Sequence, residues 1–289
     1  MENTNDKVVI IVSAPRSGST WVARILRSHP DLDVYTHNTD DNHLLYAISP
    51  FQSLNPFGDD YIGSNNVYDN FLLSIKSRYV KRVFKTRDQS KTLTISTPTT
   101  ATFLPALIKA FPNGKFIHLW RSSFDQVLSF RNFVDASRTK SFRTNFNNYK
   151  HHGNLRALRN GLAHCFHRWR WLSFKDGGFL GTRPRGFSAK KRLPTLQFLT
   201  WYYAQYNKEI KEALKSIPQN RKYELVFDNL VSDFRDEFTK LMDFFEIPAP
   251  PELVEELAAK VHKDAVGKYR SNFTQAEIDN ISDWLKEYE

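Results

Sequence analysis

Residues 8–12 read Val-Val-Ile-Ile-Val. An unbroken β-branched run of this length is the mark of a strand covered on both faces in a parallel sheet. It stops abruptly at Ser13-Ala14-Pro15-Arg16-Ser17-Gly18-Ser19-Thr20-Trp21, after which apolar spacing predicts a helix from about Thr20 to Ser28, ended near Pro30. A small-residue turn between strand and helix exposes backbone N–H groups at the positive end of the helix dipole. Arg16 adds a full charge with a two-pronged donor set, and Ser17, Ser19 and Thr20 add hydroxyls. These features predict a phosphate-binding loop; the alternative is an ordinary tight turn with a serine cap. The triphosphatase version of such a loop places Lys directly after its last glycine. Here Ser19 stands there, and the strand Phe116–Trp120 runs into Arg121 rather than an Asp that could hold Mg²⁺. A nucleotide kinase is therefore disfavoured.

The rest of the chain alternates in the same way. Asp31 to Asn66 reads mostly as loop with short helices, and a helical segment follows to about Thr86. Strands are predicted at Thr92–Ser96, Lys115–Trp120 and Tyr223–Phe227. Helices are predicted at Ala101–Phe111, Ser123–Val134, Thr195–Lys215, Ser232–Phe245, Pro251–His262 and Thr274–Tyr288. Between them lie an amphipathic segment, Gly153–Phe174, and a Gly/Pro/basic loop, Asp176–Pro194. This order predicts an α/β fold of three layers, with a central mainly parallel sheet, P-loop-like, flanked by helices. No repeat or linker divides the 289 residues, so a single domain over 1–289 is expected.

The net charge of +10 calls for an anionic partner, which a nucleic acid, a membrane surface or a phosphorylated cofactor would each satisfy. Its distribution says more. No Lys or Arg occurs from Ser28 to Ile75, where seven Asp residues lie, whereas Arg131 to Arg192 is strongly basic. The only cysteine, Cys165, excludes an internal disulfide and suits a reducing compartment. Residues 1–7 lack the order of a signal peptide and the apolar run at 8–12 is too short to span a bilayer, so a cytoplasmic protein with no membrane partner is expected.

A second motif starts at Phe116-Ile117-His118-Leu119-Trp120-Arg121 and continues to Ser129, eight residues beyond the arginine. An Arg at a strand's carboxyl end and a hydroxyl two helical turns later can converge on one phosphate. With Arg16 to Trp21, this pair of ordered motifs resembles the PAPS-dependent sulfotransferase family, in its soluble bacterial-type branch (PAPS, 3′-phosphoadenosine 5′-phosphosulfate). Tyr223–Val231, Phe244–Pro248, Gly181–Phe187 and Val266-Gly267-Lys268-Tyr269-Arg270 are similar to further family segments. The resemblance implies that Arg16, Ser17, Gly18, Ser19, Thr20 and Trp21 wrap the 5′-phosphosulfate. It implies that Arg121 and Ser129 grip the 3′-phosphate, that Lys268 and Arg270 close over the nucleotide, and that PAP is the product. No metal is implied, and the histidines show no metal-ligand spacing. Two departures stand out. Ser122-Ser123 replaces the family's Asp-Pro, and Ser96 occupies the place of a familiar Lys at the end of the middle strand.

Sulfuryl transfer also needs a base for the acceptor's proton. Relatives place one either after the first helix or at the end of the middle strand, and the first location here gives His29-Pro30 and then His37, Asp40, Asp41 and His43. His37 is the first candidate, since neutral imidazole suits the task near pH 7, and Asp40 is the second; an exposed loop histidine is the alternative. The acidic stretch around them fits a cationic small-molecule acceptor, an amine or guanidinium natural product; a solvated surface loop is the alternative. A competing function is nucleic-acid binding by residues 138–192, where basic and aromatic side chains interleave. The expectation is no nucleic-acid partner, because aromatics at helical spacing pack in cores and the resemblance accounts for the basic loop; either a monomer or a homodimer is compatible.

Overall fold

In the computed structural model, residues 7–36, 88, 90–96, 101, 104–139 and 183–288 are described. Five parallel strands form one sheet in the order β2-β3-β1-β4-β5: β1 Val8–Ser13, β2 Leu32–Thr36, β3 Thr92–Ser96, β4 Lys115–Trp120 and β5 Lys222–Val226. The register seats Ile10 between Ile95 and Phe116, so the apolar run at 8–12 occupies the middle of the sheet. All six residues of β1 are buried, as a strand covered on both faces requires.

Alternate residues of β1 feed two separate cores. Val8, Ile10 and Val12 face a layer built by α2 (Leu104–Ala110), α3 (Ser123–Thr139), α5 (Thr195–Leu214) and α9 (Gln275–Tyr288). Val9 and Ile11 face α1 (Ser19–Arg27), α6 (Phe227–Ser232), α7 (Phe234–Phe245) and α8 (Pro251–Ala258). A short α4 (Phe187–Lys190) packs Phe187 into the first layer. The predicted three-layer parallel architecture is thus the one observed.

Some boundaries differ from the sequence expectation. Asp31–Asn66 was expected to be mostly loop, but Leu32–Thr36 forms edge strand β2, burying Leu32, Val34 and Thr36 while Asp33 and Tyr35 stay half-exposed. The helix expected over Ser232–Phe245 begins at Phe234, because Asp233 (φ −131°, ψ 67°) breaks the chain between α6 and α7. Helix α3 continues beyond Val134 to Thr139, and α4 interrupts the loop expected over Asp176–Pro194. The helical segments expected near 67–86 and 153–174 lie outside the described residues.

Candidate nucleotide-binding site

Strand β1 sits between β3 and β4. The chain leaves β1 toward the β2/β3 side, whereas it leaves β3 to reach β4 on the other side. The carboxyl ends of β1 and β4 therefore flank the point where the winding reverses, the place where open α/β sheets bind ligands. Both candidate arginines are there. Arg16 lies three residues past β1, and Arg121 directly follows β4.

The loop after β1 is held in shape by its own backbone. Arg16 (φ 73°) and Gly18 (φ 93°) take left-handed conformations, and the buried Ser17 closes the turn by donating its hydroxyl to the Ala14 carbonyl at 2.7 Å. At position 18 only glycine fits: a Cβ would lie 2.4 Å from two ring carbons of Phe227. Gln126 of α3 donates to the Pro15 carbonyl at 2.8 Å and ties the loop to the neighbouring helix. Helix α1 opens at Ser19, so its first amides face the same crevice end.

A cavity of about 470 Å³ lies beside this loop, lined by Arg16, Arg121, Asp125, Ser129, Asn132 and Lys268, with Leu128, Phe133 and Ala265 completing the wall. Arg16 Nε donates to Ser129 Oγ at 3.2 Å, and its guanidinium lies 5.1 Å from the centre of the Phe133 ring. Arg121 donates to the Ala265 carbonyl and lies 4.8 Å over the Phe227 ring, while its Nε is buried with no hydrogen-bond partner. Among the described residues, no carboxylate is within ion-pairing distance of either arginine. Burial lowers the pKa of Arg16, and the like charge of Arg121 lowers it further. Burial also lowers that of Arg121, opposed by the more distant Asp125 and Asp228. Arginine stays charged regardless. Two guanidiniums and Lys268, whose ammonium also pairs with the exposed Asp264 at 3.3 Å, thus share one cavity whose single carboxylate among the described residues, Asp125, is engaged elsewhere.

Asp125 is 2% exposed and accepts backbone N–H bonds from Gly267 at 2.6 Å and Tyr269 at 3.1 Å. Tyr269 also stacks on Phe124 with centroids 4.8 Å apart. Together they pin the turn carrying Lys268 over the cavity. Asp228 accepts from the Ser122 amide at 2.7 Å, fixing the chain just after Arg121.

The structure brings together Arg16, Arg121, Ser129 and Lys268 from the sequence-predicted set. Gly18 serves by leaving room for Phe227. Ser17 and Ser19 are buried, Thr20 is exposed on the first turn of α1, and Trp21 meets Phe227 edge-on at 5.4 Å. Arg270 is not among the residues lining the cavity; it is exposed and lies 5.5 Å from the Tyr269 ring centre. His37 and Asp40 lie outside the described residues, as does most of 138–192. His29 is 1% exposed and occupied at both nitrogens, with Nε2 2.8 Å from the Pro248 carbonyl and Nδ1 accepting from the Asp31 amide, so it serves the fold. At the carboxyl ends of β1 and β3 the hydroxyls of Ser13 and Ser96 are buried without partners. Sequence reasoning missed Asp125, Gln126, Asp228 and Phe227. The usable signal was positional, since all four follow the carboxyl end of β4 or β5 within six residues. Among the described residues no group of His, Cys, Asp and Glu could hold a metal ion, and no helix is long and apolar enough to cross a membrane.

With the site in view, the comparisons are direct. The model of the sulfotransferase family matches residues 8–180, and the chain belongs to that family. No curated protein sequence matches it. Among solved structures it is similar to the sulfotransferase domain from the curacin biosynthetic pathway, at 17% identity and a TM-score of 0.54, with 97% of each chain covered. It is similar to the sulfotransferase domain of the Synechococcus PCC 7002 olefin synthase, at 15% identity and TM-score 0.50, covering 97% of this chain and 94% of that one. Mouse sulfotransferase SULT7A1, solved with PAP, aligns at 13% identity and TM-score 0.51 over 98% of this chain and 89% of its own. At these identities the likeness speaks for the fold.

Proposed function

We propose that this chain transfers the sulfuryl group of PAPS to a hydroxyl or amine of a small-molecule acceptor, and that residues 1–289 act as one sulfotransferase domain. The reading rests on one observation: Arg16 and Arg121, from two different strand ends, share a cavity with Ser129 and Lys268, and among the described residues no carboxylate pairs with either arginine. Such a site wants an anion with more than one phosphate, and PAP carries phosphates on its 3′ and 5′ positions. Arg121, Ser129 and Lys268 would take the 3′-phosphate. Arg16 and the amides of the 17–20 loop would take the 5′-phosphosulfate. Phe227, which lies under Arg121, and Trp21, edge-on to Phe227, would offer an aromatic surface to the adenine.

In the reaction the S–O bond to the 5′-phosphate breaks and a new S–O or S–N bond forms to the acceptor in line with it. The negative charge that develops on the departing phosphate oxygen falls beside Arg16, which stabilises it without reorganising. The acceptor's proton passes to a base, for which His37 and Asp40 are the candidates. Ser96 stands where relatives often have Lys, so the charge on the leaving side depends more heavily on Arg16.

The acidic stretch Asp31–Asp69 favours a cationic acceptor. Release of PAP from PAPS is the test, run in EDTA across amine, guanidinium and neutral alcohol acceptors. Turnover with cationic acceptors that falls selectively in Asp40→Asn/Asp41→Asn supports the reading. Equal loss with every acceptor would remove the cationic preference, and no PAP release with any acceptor would overturn the function.

A further inference from the structure

A second cavity, of about 440 Å³, lies on the α5 face of the sheet against β4. Its wall includes His118 and Trp120 of β4 and Tyr203, Asn207, Lys211 and Lys215 of α5. The nucleotide cleft uses none of these side chains directly.

The hydrogen bonds on this wall fix the state of His118. Asn207 donates its amide nitrogen to the Tyr203 carbonyl at 2.9 Å, so its oxygen is the atom turned to His118 Nε2, 3.0 Å away. The proton must then sit on Nε2. The imidazole is fully buried, and this burial, with a smaller contribution from Lys211, pushes its pKa down to about 4. Near neutral pH, Nδ1 is therefore a bare lone pair, and among the described residues it has no partner. Two residues along the same strand face, the Trp120 indole N–H is buried and also lacks a partner. One orphaned acceptor and one orphaned donor on a single cavity wall are uncommon in a folded protein.

The surroundings are cationic. Lys211 holds its ammonium 6.0 Å from the Trp120 ring centre, and Lys208 and Lys215 flank it on α5. Among the described residues of the lining Glu212 is the only carboxylate, and Arg185 already pairs with it at 2.5 Å. A ligand satisfying all of this is an anion that accepts from Trp120 and Lys211 and still has a hydrogen to donate to His118.

We propose that this cavity is a binding site for a protonated oxyanion, hydrogen phosphate, and that it rejects sulfate. Phosphate near neutral pH keeps at least one P–OH to donate to His118 Nδ1. Sulfate has the same shape and charge but no proton, so it would leave the His118 lone pair facing an oxygen. A buried unmade hydrogen bond of this kind is the strongest discriminator a small site possesses. Tyr203 of this wall donates its hydroxyl to the Arg121 carbonyl at 3.1 Å, so the cavity lies one hydrogen bond behind the nucleotide cleft without being part of it.

The experiment is a titration read by the ¹⁵N-indole NMR signals of the intact chain. PAP is kept saturating so that the arginine cleft is filled; should PAP not bind, Arg121→Ala replaces it, which separates this inference from the proposed function. The Trp120 signal is identified by its loss in Trp120→Phe or, if that variant does not fold, by through-bond assignment of the parent chain. Inorganic phosphate should shift the Trp120 signal saturably, sulfate at matched ionic strength should leave it in place, and Lys211→Ala should weaken the phosphate response about tenfold. No phosphate-dependent shift, or equal shifts with phosphate and sulfate, overturns the proposal.

Discussion

Replacing Asp125 with Ala removes a carboxylate that is 2% exposed and accepts two backbone N–H bonds, at 2.6 and 3.1 Å, from a turn 142 and 144 residues away in sequence. Hydrogen bonds to a charged group contribute roughly 1.5–3 kcal/mol each. The turn is at the surface, where water can reach the freed amides, so the net loss should be about 2–3 kcal/mol rather than the full sum. The loss should be local. The turn around Lys268–Ser271 has no strand of its own, and once Asp125 is gone it is held by the Phe124–Tyr269 stack and, at its two flanks, by Arg121 on the Ala265 carbonyl and Arg131 on the Asn272 carbonyl. Hydrogen exchange at Gly267 and Tyr269 should quicken while β1 stays protected. The functional consequence passes through Lys268, whose ammonium the turn presents to the cavity. Asp125→Ala and Lys268→Ala should each weaken PAP binding about tenfold in a calorimetric titration, and the double variant should be no weaker than the worse single one. Losses that multiply to about a hundredfold would show that Asp125 does not act by placing Lys268, and the reasoning would fail.

Two further outcomes follow from the geometry. Gly18→Ala should cost about 1–2 kcal/mol for its left-handed backbone, plus the overlap with Phe227 at 2.4 Å; in urea unfolding, Phe227→Leu should relieve the second part but not the first. His118 has a folded-state pKa of about 4 against an ordinary 6.5, so the unfolded chain binds its proton first as pH falls. Its contribution is complete above pH 6.5 and is lost down to about pH 4, on the order of 3 kcal/mol, and His118→Phe should flatten that part of the pH–stability curve.

The fold was largely legible because β1, β3 and β4 combine β-branched or aromatic runs with clear turn punctuation. Strand β2 was not. Its buried residues alternate with Asp33 and Tyr35 at a sheet edge, and a five-residue alternation inside an Asp- and Pro-rich stretch reads as loop. The break at Asp233 was hidden for a related reason, since Asp fits a helix N-terminus and an interruption equally well. At the site, Arg16, Arg121 and Ser129 could be read because each lies in a local motif with a physical purpose. Asp125 could not, because its partners are the backbone amides of Gly267 and Tyr269, which carry no side-chain signature. Phe227 was visible only as an apolar residue ending a strand. That it lies against Gly18 and under Arg121 depends on the β4–β5 pairing, a long-range fact. Trp21 reads as a motif residue and also packs against Phe227 and Phe234, so one side chain carries both a signature and a share of the core.

The central claim is that the cavity between Arg16 and Arg121 binds the nucleotide of PAPS. Its most direct test is calorimetric titration with PAP in EDTA, beside ATP with Mg²⁺, on the parent chain and on Arg121→Ala. The account predicts metal-independent PAP binding that falls at least a hundredfold in Arg121→Ala, about 3 kcal/mol for a charged contact to phosphate, with ATP much weaker. Equal PAP binding in the variant, or binding of ATP with Mg²⁺ in preference to PAP, would contradict it.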